Sequence, residues 1–351
     1  MVLNSLSHKL QLWMSNSQKP LQIEGINNEL WSYFLKLHTP ELNKTEWGNF
    51  HHLLVTKGQE EAEDLYNYTK RQVPGFQVHL LSSFDLTPYS GVIPAESTLF
   101  HRFRTLATLA TTDGPHLVIG SFHAFASLGP PPSFFRDTQL SLEISDIVGP
   151  HEVSTKLVEL GYISSTTVEE PGTFSSRGEI FDIYPTAHKP VRLHYFDDMI
   201  EEIYSIDLDT QKTNREESFE NLTIHAAPRI FSRPNFSSQL RENLPMPGPR
   251  FREKYEVRKE VFEKLGQGNL FESYPFFVPL FFKQPVNFFD FMQNQKTFIT
   301  FLNEWEISQE LPSFREELGR EYKESAEDIQ NPNILPSPEH LYDFKDLERL
   351  P

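Results

Sequence analysis

Two arginines and a phenylalanine stand at a spacing suited to recognition. Arg177 opens the run RGEIFDIYP, and Arg192 and Phe196 lie four apart in PVRLHYFDD. Strand alternation sends Arg192, His194 and Phe196 to one face and Val191, Leu193 and Tyr195 to the other. Same-face neighbours on a strand are about 6.6–6.8 Å apart, so Arg192 and Phe196 bracket a patch roughly 13 Å long. A hairpin around PTAHKP brings Arg177 toward the end that carries Phe196. Guanidinium groups bind carboxylates through two parallel hydrogen bonds. Arg and large aromatics also dominate the energetic centres of protein–protein contacts. The chemistry on offer is recognition. The same residues have a plainer use: Arg192 pairs with Asp182 or Glu202 across the sheet, worth about 0–1 kcal/mol if exposed, and Phe196 fills a core.

Other chemistry-bearing types are arranged less tellingly. His51 and His52 are adjacent on a strand, so they point to opposite faces and cannot chelate one ion together. HRFR puts His101 beside two arginines, Arg102 and Arg104, a poor setting for a cation, and HLYDFKD (His340–Asp346) has ligand types without a metal spacing. The acid pairs Asp197–Asp198 and Glu201–Glu202 read as turn and edge residues. A phosphate loop needs G-x-x-x-x-G-K-[ST], because backbone N–H groups and a lysine must cradle the phosphates. After the first strand-like run there is only Gly25, and after the second the order is Lys57–Gly58, the reverse of what is needed. There is no G-x-G-x-x-G, G-x-S-x-G or H-E-x-x-H. The expectation is a chain without catalytic residues, metal or cofactor.

Composition bounds the setting. The chain has 351 residues, room for two or three domains. It is 38% hydrophobic and 23% charged, with 30 phenylalanines, enough apolar surface for folded cores. Its 49 acids against 32 bases leave a net charge of −17, which weighs against a duplex-binding protein held by phosphate contacts. The absence of cysteine removes disulfides, thiolate metal sites and cysteine nucleophiles. No apolar run approaches the roughly 20 residues of a membrane span, and no signal peptide is expected at the start. A cytoplasmic protein with no membrane partner fits these features.

The elements that would position these residues fall into three stretches. LQIEG (Leu21–Gly25) reads as a strand and INNELWSYFLKLH as a helix. HHLLVTKG, QVHLLSS and HLVIGSF read as strands, and QEEAEDLYNYTKRQV and ESTLFHRFRTLATLAT as helices between them. This β-α-β-α order predicts a doubly wound parallel sheet. From about residue 138 to 229 the character changes. One helix stops at Gly161, and EIFDIYP, PVRLHYFDD, MIEEIYSIDLDT and ENLTIHAA follow as an antiparallel meander, a small α+β unit. The last stretch has a helix over Phe251–Gly268, a proline-rich aromatic block, a strand at KTFITFLN, a charged helix, and a loop leading into a short helix.

Glu169–Thr213 resembles the signature of the UvrB-homology module in bacterial transcription-repair coupling factors, the Mfd family. That signature has a G-x-(F/Y)-x-x-R-G run, an aspartate and a proline, then a strand of R-(L/I)-x-(F/Y)-F-(D/G)-D-x-I type. Gly172, Phe174, Arg177, Gly178, Asp182, Pro185, Arg192, Phe196, Asp198, Ile200, Asp207, Gln211 and Lys212 match it. SFDLTPYSGVIPAESTLFHRFRTL, QGNLFESYPFFVPLFFKQPVNFFDFM and ILPSPEHLYDF are similar to other stretches of the module. The resemblance implies an α/β fold: a degenerate helicase-like (P-loop NTPase-like) parallel-sheet domain interrupted by a small α+β domain with an antiparallel sheet. Its parts would be domain 1a over 1–137, the UvrA-binding domain 2 over 138–229 and domain 1b over 230–351. It further implies a non-catalytic adaptor that contacts UvrA through Arg177, Arg192 and Phe196 and recruits nucleotide excision repair to stalled RNA polymerase. RNA polymerase, DNA and ATP would be handled by further domains of a longer coupling factor, an ATP-dependent DNA translocase, whose motor would mask domain 2 at rest. The chain ending at Pro351 would be a fragment of such a protein or a free-standing copy. The rival reading is a DNA-binding or helicase-type repair enzyme related to UvrB, which would need a basic groove and salt-dependent DNA affinity.

Overall fold

Continuous apolar runs set the first sheet. In the computed structural model, which describes residues 51–72, 77–247, 252–292, 297–327 and 335–348, these runs are strands of one parallel sheet. They are His51–Thr56 (β1), Gln77–Leu81 (β2) and His116–Ser121 (β3), joined by helices Gln59–Gln72 (α1) and Glu96–Thr111 (α2). All six residues of β3 are buried, as parallel strands flanked by helices require. In α1, Glu60 and Glu61 lie in the first turn and Lys70 and Arg71 in the last, which complements the helix dipole. The strand and helix expected over 21–38 lie outside the described residues. Short helices Phe122–Ala126 (α3) and Pro132–Asp137 (α4) complete this stretch.

The chain then builds a second unit. It contains Gln139–Glu143 (β4), helix Pro150–Glu159 (α5), Ile163–Ser164 (β5), Thr173–Arg177 (β6), Ile180–Tyr184 (β7), Val191–Phe196 (β8), Met199–Asp207 (β9), Lys212–Ser218 (β10) and Asn221–His225 (β11). Strands β10-β9-β8-β7-β6-β5 form one sheet in that order, antiparallel except for the β5–β6 pair. The expected meander gains β5, β6 and β10 and loses ENLTIHAA, which does not join it. β11 pairs with β4 in a separate two-stranded sheet, Leu222 opposite Leu142 and Ile224 opposite Leu140. Leu142, Leu222 and Ile224 enter the same core as Phe174, Phe181, Leu193 and Tyr195, so burial rather than chain proximity decides the pairing. β4, β6 and β10 carry weak strand signals. TFSSR is mostly polar, and KTNREES is a charged edge strand with its side chains in or near solvent.

Beyond the insertion come helices Pro234–Asn243 (α6) and Arg252–Gly266 (α7), an aromatic 3-10 turn at Tyr274–Phe281, strand Thr297–Phe301 (β12) and helix Glu304–Glu327 (α8). β12 returns beside β1, giving the parallel order β12-β1-β3-β2. Rings from both sides of the insertion share one core. Phe103 lies 5.4 Å from Phe135 and 5.8 Å from Phe231, and Phe231 stacks on Phe281 at 4.6 Å. Each buried phenylalanine contributes about 1.5–3 kcal/mol, so the interrupted chain closes on aromatic packing.

Two glycines let the units meet. Gly161 ends α5 at φ 86° against the backbone of Ile230, and Gly172, at φ 80°, lies where a Cβ would come within 2.8 Å of the Phe100 ring on α2. A side chain at either position would push the antiparallel unit off the parallel one.

Candidate partner-binding site

The two sheets treat their polar groups differently. At the C-terminal edge of the parallel sheet they turn onto one another. The Gln59 N–H at the start of α1 donates to Asp85 Oδ2 at 2.7 Å, and Ser83 Oγ donates to Asp85 Oδ1 at 2.6 Å. Ser83 N–H donates in turn to Gln59 Oε1. A helix N-terminus attracts an anion, and here the chain supplies its own carboxylate. Lys57 is directed at Glu306 and Glu310 of α8, at 3.6 and 3.2 Å. Arg102 is buried and spends its donors on the carbonyls of Ser82, Ala124 and Ser127, and burial lowers its pKa to about 10. His101 beside it is exposed.

The histidines at the opposite, N-terminal edge of the sheet form a packed group. His51 stacks on His116 at 5.2 Å, and His79 Nε2 lies 3.1 Å from His116 Nδ1. His52, on the other face, stacks on Phe298. Burial and neighbouring histidines lower His51 to about 4 and His79 to about 3. Among the described residues, no group of three or more His, Cys, Asp or Glu side chains could hold a metal ion.

The antiparallel sheet is built otherwise. Its inner face carries Phe174, Phe181, Leu193, Tyr195, Ile200 and Ile203 against Val153 and Leu157 of α5. Its outer face is set by register: Ser175, Asp182, Arg192 and Tyr204 form one cross-strand row, and Arg177, Ile180, His194 and Glu202 the next. Phe196, opposite Met199, extends this face to the end of the sheet. Arg177, Arg192 and Phe196 therefore share one face, and Arg177 and Phe196 one end. Arg177 is the last residue of β6, and the two-residue turn Gly178–Glu179 follows it, with Gly178 at φ 61°. Glycine at the first central position suits such a hairpin turn.

The three residues do not present themselves equally. Phe196 is 62% exposed, so it is no core residue. The Arg177 side chain is 53% exposed and touches Asp182 Oδ2 at 3.2 Å. Arg192 is only 9% exposed. Its Nε donates to Asp182 Oδ1 at 2.7 Å and its Nη2 to Asp182 Oδ2 at 2.9 Å, while Nη1 reaches Thr213 Oγ1. The hydrogen bonds to Asp182 raise the Arg192 pKa against the effect of burial. Asp182 is fully buried. The expected patch of two outward guanidiniums is thus one outward guanidinium and one that anchors it, because both arginines share a single carboxylate. Glu202, the other partner considered for Arg192, instead accepts from Tyr204 Oη at 3.0 Å. Sequence reasoning missed the neighbours of Phe196. Met199 lies opposite it, and Ile147 bridges to Met199 from the segment after β4. Only the pairing reveals them, since Ile147 is 49 residues away from Phe196 in sequence.

An α/β unit with an inserted antiparallel α+β unit is the class these observations define. Residues 140–229 match the family described as the UvrB interaction domain. The chain is 29% identical over 245 residues to a transcription-repair-coupling factor of Rickettsia bellii (strain RML369-C), covering 69% of this chain and 21% of that protein. It is 25% identical over 335 residues to one of Bacillus subtilis (strain 168), covering 92% of this chain and 27% of that protein. A Haemophilus influenzae relative of the same name is 27% identical over 218 residues, 60% of this chain and 18% of its own length. The chain resembles the N-terminal, UvrB-homologous module of transcription-repair-coupling factors over much of its length, as its motifs implied. It spans about a fifth to a quarter of the length of these curated relatives.

Proposed function

We propose that this chain is a non-catalytic adaptor that binds UvrA through the unit at residues 138–229 and brings nucleotide excision repair to stalled RNA polymerase. The observation that carries the reading is the end of the antiparallel sheet. An exposed ring, Phe196, and a half-exposed guanidinium, Arg177, stand on one face within the region that matches the UvrB interaction domain. Arg192 and Asp182 fix the arginine from below. Such an arrangement offers a partner an apolar anchor and a bidentate donor, the residue types that dominate binding hot spots. Any contact with RNA polymerase and DNA, and any ATP-driven translocation, would belong to other parts of a longer coupling factor. In that protein the motor would cover this face at rest. The adaptor would act in the cytoplasm and need no cofactor. Among the described residues no helix is long and apolar enough to cross a membrane.

A calorimetric titration of the chain with UvrA tests the reading. Arg177→Ala and Phe196→Ala should each weaken binding by about 2 kcal/mol or more. Unchanged affinity in both variants, with thermal unfolding intact, would remove the assignment. Arg192→Ala is a poor probe of the contact alone, because it also strips Asp182 of its main partner.

A further inference from the structure

We propose that the contact with UvrA is centred on a three-residue apolar row, Ile147–Met199–Phe196, and that the socket receiving it is apolar with a cationic rim. The inference rests on the reading above and adds to it two residues and the chemistry of the partner's surface.

The row follows from pairing. Phe196 and Met199 are directly opposed across the β8–β9 hairpin, and Met199 is directly opposed to Ile147. Directly opposed residues share a face with Cβ atoms about 4.5–5.5 Å apart. The three side chains therefore form a strip about 10 Å long, perpendicular to the strands. Ile147 is 83% exposed, more than any other large hydrophobic residue among those described.

That exposure does not come from a loose loop. The segment is pinned by backbone hydrogen bonds: Ile144 N–H to Glu220 O, Ser145 N–H to Ile200 O, Ile200 N–H to Asp146 O and Val148 N–H to Asp198 O. A rigidly held apolar residue binds with little loss of conformational entropy. The strip is continuous with the candidate contact, since it ends at Phe196, and Arg177 lies on the same face toward the same end of the sheet.

Charge describes the occupant. Glu179, Asp197, Asp198 and Glu201 are exposed in the segments that flank the strip, and the cation Arg177 lies toward the same end of the sheet. A complementary surface presents an apolar socket, cations around it, and one carboxylate or carbonyl for Arg177.

The test is a titration of UvrA with the wild type and with Ile147→Ser, Asp197→Lys and Trp305→Ser. Trp305 is a comparably exposed ring on α8, away from this sheet. Ile147→Ser should weaken binding at least tenfold with thermal unfolding unchanged. Asp197→Lys should slow association several-fold at low salt, and Trp305→Ser should bind as the wild type does. If the wild type and Ile147→Ser bind equally while Arg177→Ala does not, the row is overturned and the adaptor reading stands. If the wild type itself does not bind, both fall. Self-association of the wild type in sedimentation, abolished by Ile147→Ser, would assign the strip to a second copy of this chain and overturn the proposal.

Discussion

The two sheets share a chain and differ in what they do with charge. At the C-terminal edge of the parallel sheet, Asp85 caps α1 and Arg102 is consumed by three carbonyls, so the polar groups answer one another. At the end of the antiparallel sheet, one carboxylate, Asp182, serves two arginines and leaves one of them half outside beside an exposed ring. Saturated polar groups hold a fold together. A partly used cation next to unburied apolar surface is what a partner can still engage.

The largest effect that would sharpen this contrast is on Arg192. Arg192→Ala leaves Asp182 buried without its bidentate partner and should lower stability by about 3–5 kcal/mol. Urea unfolding with an unchanged midpoint would show that the pair is not structural. Acid should act chiefly on the parallel sheet. His51 and His79 have folded pKa values of about 4 and about 3, below the ordinary value near 6.5, and His116 is lowered as well. The unfolded chain then binds more protons below pH 6.5, so stability is full above about pH 7 and falls as pH drops toward 4. The loss should be on the order of 2–4 kcal/mol by pH 5. A stability profile flat between pH 7 and 5, or one unaltered by His79→Phe, would contradict this.

Gly172→Ala tests the seam between the regions. A Cβ there meets the Phe100 ring and the φ of 80° disfavours it, so about 2–3 kcal/mol should be lost. Retained stability would mean that the antiparallel unit docks more loosely than Gly172 implies. Asp85→Ala removes the acceptor at the start of α1 and should cost about 1 kcal/mol in a chemical melt. A larger loss would give that edge a role beyond capping. Arg177→Ala is the smallest in stability, below about 1 kcal/mol for a half-exposed pair, although the same change should abolish much of the UvrA affinity. If Arg177→Ala and Arg192→Ala destabilised the chain equally, the division into anchor and contact would not hold.

Much of the fold was legible because its signals are local. β1, β2 and β3 are short apolar runs closed by turn residues, and α1 announces itself through acids first and bases last. β10 was not legible: KTNREES has no apolar alternation, and it is a strand because β9 offers it an edge. β11 reads as a strand in any register, but its partner β4 lies some eighty residues earlier, a pairing that no window of sequence contains. In the candidate site, alternation along β8 was enough to put Arg192 and Phe196 on one face.

Spacing and residue type by themselves put Arg192 and Phe196 on one face of a small sheet and Arg177 toward the end that carries Phe196, since strand period and turn chemistry are properties of adjacent residues. Only the tertiary structure decided that Arg192 is buried against Asp182 on the outer face, that Arg177 is the cation left half outside, and that Ile147 and Met199 stand beside Phe196. Burial and cross-strand register depend on which distant segments pack together, and a carboxylate shared by two arginines can be assigned only once both have been folded around it.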